Sequence, residues 1–268
     1  MHRIATQLYS LRDEIGDRAG LAEALRRVKA IGYDGVQFSA VGAVEGEDAD
    51  TSPAEARRML DDNGLECLGA HRVWGALRDD TAMEIEFLQA IGCTYVAVPI
   101  FRDMADRYDP ESYRRFARET EPVAAALGAA GIVLGYHNHA HEFMRPDGGG
   151  PAPFDILIDE ARQVALELDV YWAAVGGVDP AGLLDRLHGR VDYLHVKDLT
   201  LLRDEGETHP HPLVAPVGEG NLNWDAIVPA AAKAGTTVWI VEQDAFRRDP
   251  YDCLRSSYEF MRAALDRL

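Results

Sequence analysis

Apolar residues fall along this chain in short runs, each preceded by an alanine- and charge-rich stretch and each ending in polar residues. Five junctions share one form, a helical stretch, a glycine and then an apolar run: VKAIGYDGVQFS, LDDNGLECLGAH, LQAIGCTYVAVP, LGAAGIVLGYHNH and AAKAGTTVWIVEQD. Glycine just past a helix supplies the left-handed C-terminal cap, and the apolar run after it is too short for another helix. VALELDVYW and VDYLHVKDL lack the glycine but keep the length and the polar ending, and RIATQLYS opens the chain, so eight strands are expected. Helical patterns fill the gaps at about residues 20–31, 53–63, 80–91, 110–130, 153–163, 179–188, 223–234 and 250–267. Strict alternation implies parallel strands joined by right-handed crossovers. Eight such units in 268 residues form the pattern of a closed (β/α)8 TIM barrel, an α/β fold, with a doubly wound open sheet as the alternative. No linker or composition shift divides the chain, so residues 1–268 read as a single domain. Residues 201–222, LLRDEGETHPHPLVAPVGEGNL, have no periodicity and are expected to form an irregular loop, either over the active site or at the surface.

The polar strand endings carry the chemistry. They hold Gln7, Gln37, His71, His137, His139, Asp169, His195, Lys197 and Glu242, on the face of a barrel where enzymes of this architecture build their sites. Side chains alternate along a strand. His137 and His139 therefore share a face with Gly135, Asp169 with Glu167, His195 with Tyr193 and Lys197, and Glu242 with Val238 and Ile240. If those faces point inward, Asp169, His195 and Glu242 converge from three consecutive strands. One histidine at a strand end is usually a hydrogen-bonded structural residue. Three titratable groups at one barrel mouth would repel or desolvate one another without a cation. Their oxygen and nitrogen donors suit Mn2+, Mg2+, Co2+ or Zn2+ rather than a thiolate-bound metal. Glu142, just past the fifth strand, is the nearest carboxylate that could complete a four-ligand set. Trp172 suits either the core or a sugar-stacking wall.

Composition narrows the partners. Nearly half the residues, 47%, are hydrophobic, enough for a sizeable core. The formal net charge of −18 opposes a phosphate backbone, so no nucleic-acid partner is expected. No stretch has the length of a membrane span, and MHRIATQLYSLRDEIG lacks a signal-peptide pattern. Cys67, Cys93 and Cys253 are odd in number and widely spaced, which suits a reducing cytoplasm. GGG at 148–150 and GEG at 218–220 lack the context of a phosphate loop, and His209 and His211 sit in a proline-flanked polar stretch.

QLYSLRD (7–13), YHNHAHEF (136–143), LDVYW (168–172), YLHVKD (193–198), VGEGNLNW (217–224) and VEQD (241–244), in this order and spacing, resemble the xylose isomerase-like barrel superfamily of sugar phosphate isomerases and epimerases. The resemblance implies one divalent ion, most often Mn2+, held by Asp169, His195, Glu242 and Glu142. It implies substrate contacts from Asn138 and Lys197, alongside the strand-end candidates His71, Trp172, Gln7 and Gln37. In the ketose 3-epimerase branch, the inward position near residue 135 is a glutamate that binds metal and moves a proton. Here it is Gly135, and the branch with HNHxxEF supplies Glu142 instead, leaving Glu142, Glu242, His137 or His139 to move protons.

The expected activity is metal-dependent isomerisation or epimerisation of a small sugar or polyol, by proton abstraction beside a chelated carbonyl. A lyase or hydratase acting on a keto-sugar, keto-glycoside or cyclitol is the alternative. A non-catalytic sugar-binding barrel ranks below both, and a DNA-repair endonuclease is disfavoured by the acidic charge. The chain is compatible with a homodimer without requiring one.

Overall fold

Residues 2–101 and 104–268 are described by the structure, a computed structural model. The glycine punctuation is realised in the backbone: Gly32, Gly64, Gly92, Gly131 and Gly235 all have positive φ. Gly64, at φ +62°, closes the helix Pro53–Asn63, which Ser52 and Glu55 open with a reciprocal capping box.

Seven strands alternate with helices along the chain: β1 (Arg3–Gln7), β2 (Gly35–Phe38), β3 (Glu66–His71), β4 (Tyr95–Val98), β5 (Val133–His137), β6 (Ala165–Asp169) and β7 (Tyr193–Val196). The next two, β8 (Asp198–Leu202) and β9 (His211–Ala215), pair antiparallel as a separate hairpin. β10 (Val238–Val241) then lies parallel between β7 and β1 and closes the eight-stranded barrel. The major helices, among them Arg18–Ile31, Pro110–Ala129, Trp224–Ala234 and Pro250–Leu265, follow the expected spans within a few residues. Four short helices add to them at Gly42–Glu45, Trp74–Asp79, Met104–Tyr108 and Val170–Val175. Among the described residues, no helix is long and apolar enough to cross a membrane.

The outer faces of the strands pack against the helices in one continuous apolar core. Inside the barrel, Ala5, Leu68, Val238 and Ile240 form a small plug with Tyr193 against it. Tyr95 stacks on Tyr193 with ring centroids 3.7 Å apart. Above this plug the inward positions become polar, so the plug is the floor on which the site rests.

The expectation of an irregular segment at 201–222 is corrected by the hairpin, which occupies much of it. Thr200 pairs with Leu213 and Leu202 with His211, an alternation that the polar tip DEGETHPHP masks in the sequence. The stretch after β9 is shaped by Asp198. Its buried carboxylate accepts hydrogen bonds from Leu199 N (2.8 Å), Gly218 N (2.9 Å), Gly220 N (3.0 Å), Leu222 N (3.1 Å) and Trp224 Nε1 (2.7 Å). A Cβ on Gly220 would come within 2.3 Å of Asp198 Oδ1, so the glycine of VGEGNLNW serves this close approach. Asp198→Ala leaves these donors buried without their acceptor and is expected to lower stability by about 4 kcal/mol. Urea unfolding checks this, and a change below about 1 kcal/mol would mean that the carboxylate does not hold the loop.

Candidate active site

Strand register brings the polar residues to common levels. Gln7 lies opposite Gln37, His137 opposite Glu167, and Asp169 opposite His195. Glu167 is central to the deeper level and has no exposed surface. His71 Nε2 donates to its Oε1 at 2.6 Å, and Gln37 Nε2 donates to its Oε2 at 2.8 Å. His195 Nε2 is 3.0 Å and His137 Nδ1 3.4 Å from the same Oε1. The Gln7 amide lies 2.8 Å from Gln37 Oε1 and 3.1 Å from His71 Nδ1. Burial works against ionisation of Glu167, but the imidazoles of His195 and His71 outweigh it and hold its carboxyl well below the usual range.

One level up, Lys197 Nζ lies 3.0 Å from Glu242 Oε2, 3.4 Å from Asp169 Oδ2 and 3.1 Å from Asp244 Oδ2. His195 Nδ1 donates to Glu242 Oε2 at 2.8 Å. Burial opposes charge on His195, yet Glu167 and Glu242 on its two sides hold its pKa up to about 10. Burial raises the Asp169 carboxyl, with Lys197 acting against the rise. Asp244, less buried, is pushed up to about 7 by desolvation and then by Glu242.

This arrangement fits a divalent cation. Ligand atoms of His137, Asp169, His195 and Glu242 all lie within 4.8 Å of one another, as do those of His71, His137, Glu167 and His195. Asp169 Oδ2, His137 Nδ1 and His195 Nε2 are buried with no well-directed hydrogen bond, although Lys197 Nζ lies 3.4 Å from the first and Glu167 Oε1 3.4 and 3.0 Å from the other two; a cation among them would satisfy all three. Charge is consistent with this. If Glu167, Asp169 and Glu242 are ionised and Asp244 keeps its proton, Lys197 and one imidazolium leave one negative charge in excess, and a divalent ion in place of the imidazolium proton brings the set to neutrality. A third group, Asp204, Glu207 and His211, sits on the hairpin, mostly exposed; exposed acids of this kind are left outside the site.

The mouth opens into a cleft of about 430 Å³ lined by Gln7, His71, His137, His139, Trp172, Lys197 and Glu242 of the expected residues. Tyr9, Ser39, Pro99, Ile100 and Asp244 line it as well. Tyr9 belongs to QLYSLRD and Asp244 to VEQD, whereas Ser39, Pro99 and Ile100 lie just past β2 and β4 and were not marked out by the strand-end pattern. Trp172 stands on the short helix that follows Asp169, whose side chain caps it by accepting from Trp172 N. The indole ring is 5.3 Å from that of His139 and 5.6 Å from Lys197 Nζ, and it walls the cleft rather than filling the core. Burial pushes His139 down to about 4, so its imidazole is neutral in the cleft.

Three expected residues lie elsewhere. Glu142 belongs to neither ligand group at the mouth. Tyr136, on the outward face of β5, donates to Glu142 Oε1 at 2.8 Å, His139 N donates to Oε2 at 2.8 Å, and His141 Nε2 is 3.1 Å from Oε1. The alternation that sends His137 inward sends Tyr136 outward, and Glu142 follows it as a clasp on the HNH turn; His137 stands in the ligand group where Glu142 was expected. Asn138 is wholly buried, accepting from Asp169 N at 2.9 Å, and ties the end of β5 to β6. Gln37 is wholly buried beneath the cleft and reaches only Glu167 and Gln7.

Glu167, by contrast, is a central residue that the sequence placed on the inward face but gave no role. Gly135 also has a physical reason. A Cβ there would lie 2.2 Å from Tyr95 Oη and 2.6 Å from its Cζ, so the tyrosine ring fills the space of a side chain. Gly135→Ala is expected to cost about 2–3 kcal/mol in wild-type protein and distinctly less in a Tyr95→Leu background. Equal costs in the two backgrounds, measured by chemical denaturation, would contradict this packing. Glu142→Gln is expected to leave divalent-metal affinity within about threefold, whereas Asp169→Asn weakens it at least about 100-fold. Isothermal titration of the two variants decides which carboxylate faces the ion.

Known proteins share this architecture. The family model for the xylose isomerase-like TIM barrel matches residues 25–264. An inosose dehydratase of Lacticaseibacillus casei is 22% identical over 208 residues, 68% of either chain. A crystal structure of a sugar phosphate isomerase/epimerase from Parabacteroides distasonis superposes with a TM-score of 0.77 at 22% identity, covering 98% of this chain and 95% of its own. The IolI protein with a bound zinc atom superposes with a TM-score of 0.70 at 14% identity, covering 99% and 98%. At these identities the structural likenesses establish the fold.

Proposed function

The chain belongs to the xylose isomerase-like TIM barrel family, and from that premise we propose that it is a divalent-metal-dependent isomerase or epimerase of a small sugar or polyol derivative. The observation that carries this reading is the buried set at the mouth, where Asp169, Glu242 and Asp244 surround Lys197 and His195 pairs with Glu242 beside a polar cleft. His137, Asp169, His195 and Glu242 would hold the ion. When bound, it supplies a Lewis acid that polarises a carbonyl oxygen.

The remaining work falls to the chain's own residues. Trp172 gives a flat apolar wall against which a sugar or cyclitol ring stacks. Lys197, buried and fixed by Glu242 and Asp244, keeps its positive charge at all working pH values and meets negative charge that develops on a substrate oxygen. His139 is neutral and its imidazole lines the cleft, so it is the group assigned to take the proton from the carbon next to the carbonyl. The Glu142 clasp on His139 N fixes the turn that presents this imidazole.

A dehydratase reading is favoured by one feature, the Asp244 carboxyl. It borders the cleft with a pKa near 7 and so retains a proton that a departing hydroxyl could take. The two readings share the first step and differ in whether product mass falls by one water.

Incubation in deuterated water with a panel of keto-sugars and keto-cyclitols, followed by NMR and mass spectrometry, tests the proposal. Deuterium should enter the carbon beside the carbonyl, exchange should stop on chelation and return with Mn2+, and His139→Gln should slow it by about 100-fold or more. Full activity after complete removal of metal would overturn the scheme.

A further inference from the structure

We propose that the barrel contains a second, deeper cation seat, formed by His71, His137, Glu167 and His195, that takes an imidazole-preferring ion such as Zn2+. The proposal rests on reading the mouth as a divalent-cation site, but it concerns different ligands and a different ion. The four residues come from β3, β5, β6 and β7, are all buried, and offer three nitrogens and one oxygen within 4.8 Å of one another. Glu167 Oε1 is 2.6, 3.0 and 3.4 Å from His71 Nε2, His195 Nε2 and His137 Nδ1. Ligands at about 2.0–2.1 Å from a tetrahedral ion lie about 3.3 Å apart, so these spacings need only small adjustment.

The two histidine nitrogens farther from Oε1 approach it at 3.0 and 3.4 Å without a well-directed hydrogen bond. Close approach of poor hydrogen-bond direction is compatible with ligands gathered around a shared ion. The outer contacts are also in place. Gln37 Nε2 holds Glu167 Oε2 at 2.8 Å and the Gln7 amide lies 3.1 Å from His71 Nδ1, so the remaining polar atoms of these two ligands are already occupied.

The two seats differ in depth and in chemistry. Glu167 precedes Asp169 by two residues on one strand face, about 7 Å along a strand tilted by about 36°, which sets it about 5 Å deeper in the barrel. The mouth set offers two carboxylates with the Lys197 ammonium between them, whereas Lys197 has no contact with Glu167 or His71. Oxygen-rich coordination suits Mn2+ and Mg2+, and imidazole-rich coordination suits Zn2+. Because His137 and His195 serve both seats, the barrel holds one ion at a time, and the identity of the ion selects its position.

Zn2+ and Mn2+ affinities of the metal-free wild type, His71→Ala and Glu167→Gln, with folding followed by circular dichroism, test the seat. The expected result is a loss of Zn2+ affinity of at least about 100-fold in both variants, with Mn2+ affinity within about threefold of wild type. Unchanged Zn2+ affinity, or equal losses for both ions, would overturn the proposal. X-ray absorption at the zinc edge of the wild-type protein reads the ligands without any substitution. Three imidazoles and one carboxylate support the deep seat, and two imidazoles with two carboxylates refute it. Neither readout uses turnover, so activity that survives metal removal would defeat the isomerase reading and leave the zinc seat standing.

Discussion

His195 has no exposed surface and lies between two carboxylates, Glu167 at its Nε2 (3.0 Å) and Glu242 at its Nδ1 (2.8 Å). As an imidazolium it helps to keep both carboxylates ionised in the barrel interior, together with Lys197 at Glu242 and His71 at Glu167. Its pair of neighbours therefore ties the two polar levels of the barrel together, and the other polar groups arrange themselves around the result. Gln37 and His71 satisfy Glu167 from below, and Lys197 shields Glu242 and Asp169 from above. The apolar plug of Ala5, Leu68, Val238 and Ile240 lies beneath this stack. A buried array of this kind is justified by binding or chemistry rather than by stability, because hydrophobic residues of similar volume would usually cost less.

The surrounding scaffold shows how the chain holds the site without the inward glutamate that the epimerase resemblance anticipates. Tyr95, stacked on Tyr193, occupies the volume beside Gly135, and the polar side chain of β5 appears one level higher as His137. Glu142 and Asn138 act through the backbone, the first clasping the turn at His139 and the second joining β5 to the end of β6. Asp198 does the same for the stretch that follows the hairpin. Fixing loops with buried acceptors leaves the cleft-facing groups free for a ligand.

The fold was legible because its signals are local. Helix, glycine and apolar run recur at short range, and each piece folds as its own sequence dictates. Period-two alternation also placed Asp169, His195 and Glu242 on inward faces, and closure of the barrel brought them together. The deeper level was not legible. Glu167 meets Gln37 and His71 across 130 and 96 residues of sequence, and no local spacing encodes which strands face each other at that depth. Glu142 illustrates the opposite case: it is close to the site along the chain, but the structure pairs it with the outward Tyr136 and the His139 backbone. The hairpin at 198–215 is masked in the sequence by its polar, proline-containing tip, although its paired positions alternate.

The claim on which the account turns is that the charge surplus around His195 is met by a divalent ion. Elemental analysis by mass spectrometry, on protein purified without chelators and exchanged into metal-free buffer, tests it most directly. The account predicts about one divalent transition-metal ion per chain, lost when Asp169 and His195 are both replaced by alanine. Less than about a tenth of an equivalent, even after incubation with Mn2+ and Zn2+, would show that the carboxylates are balanced by protons and Lys197 alone.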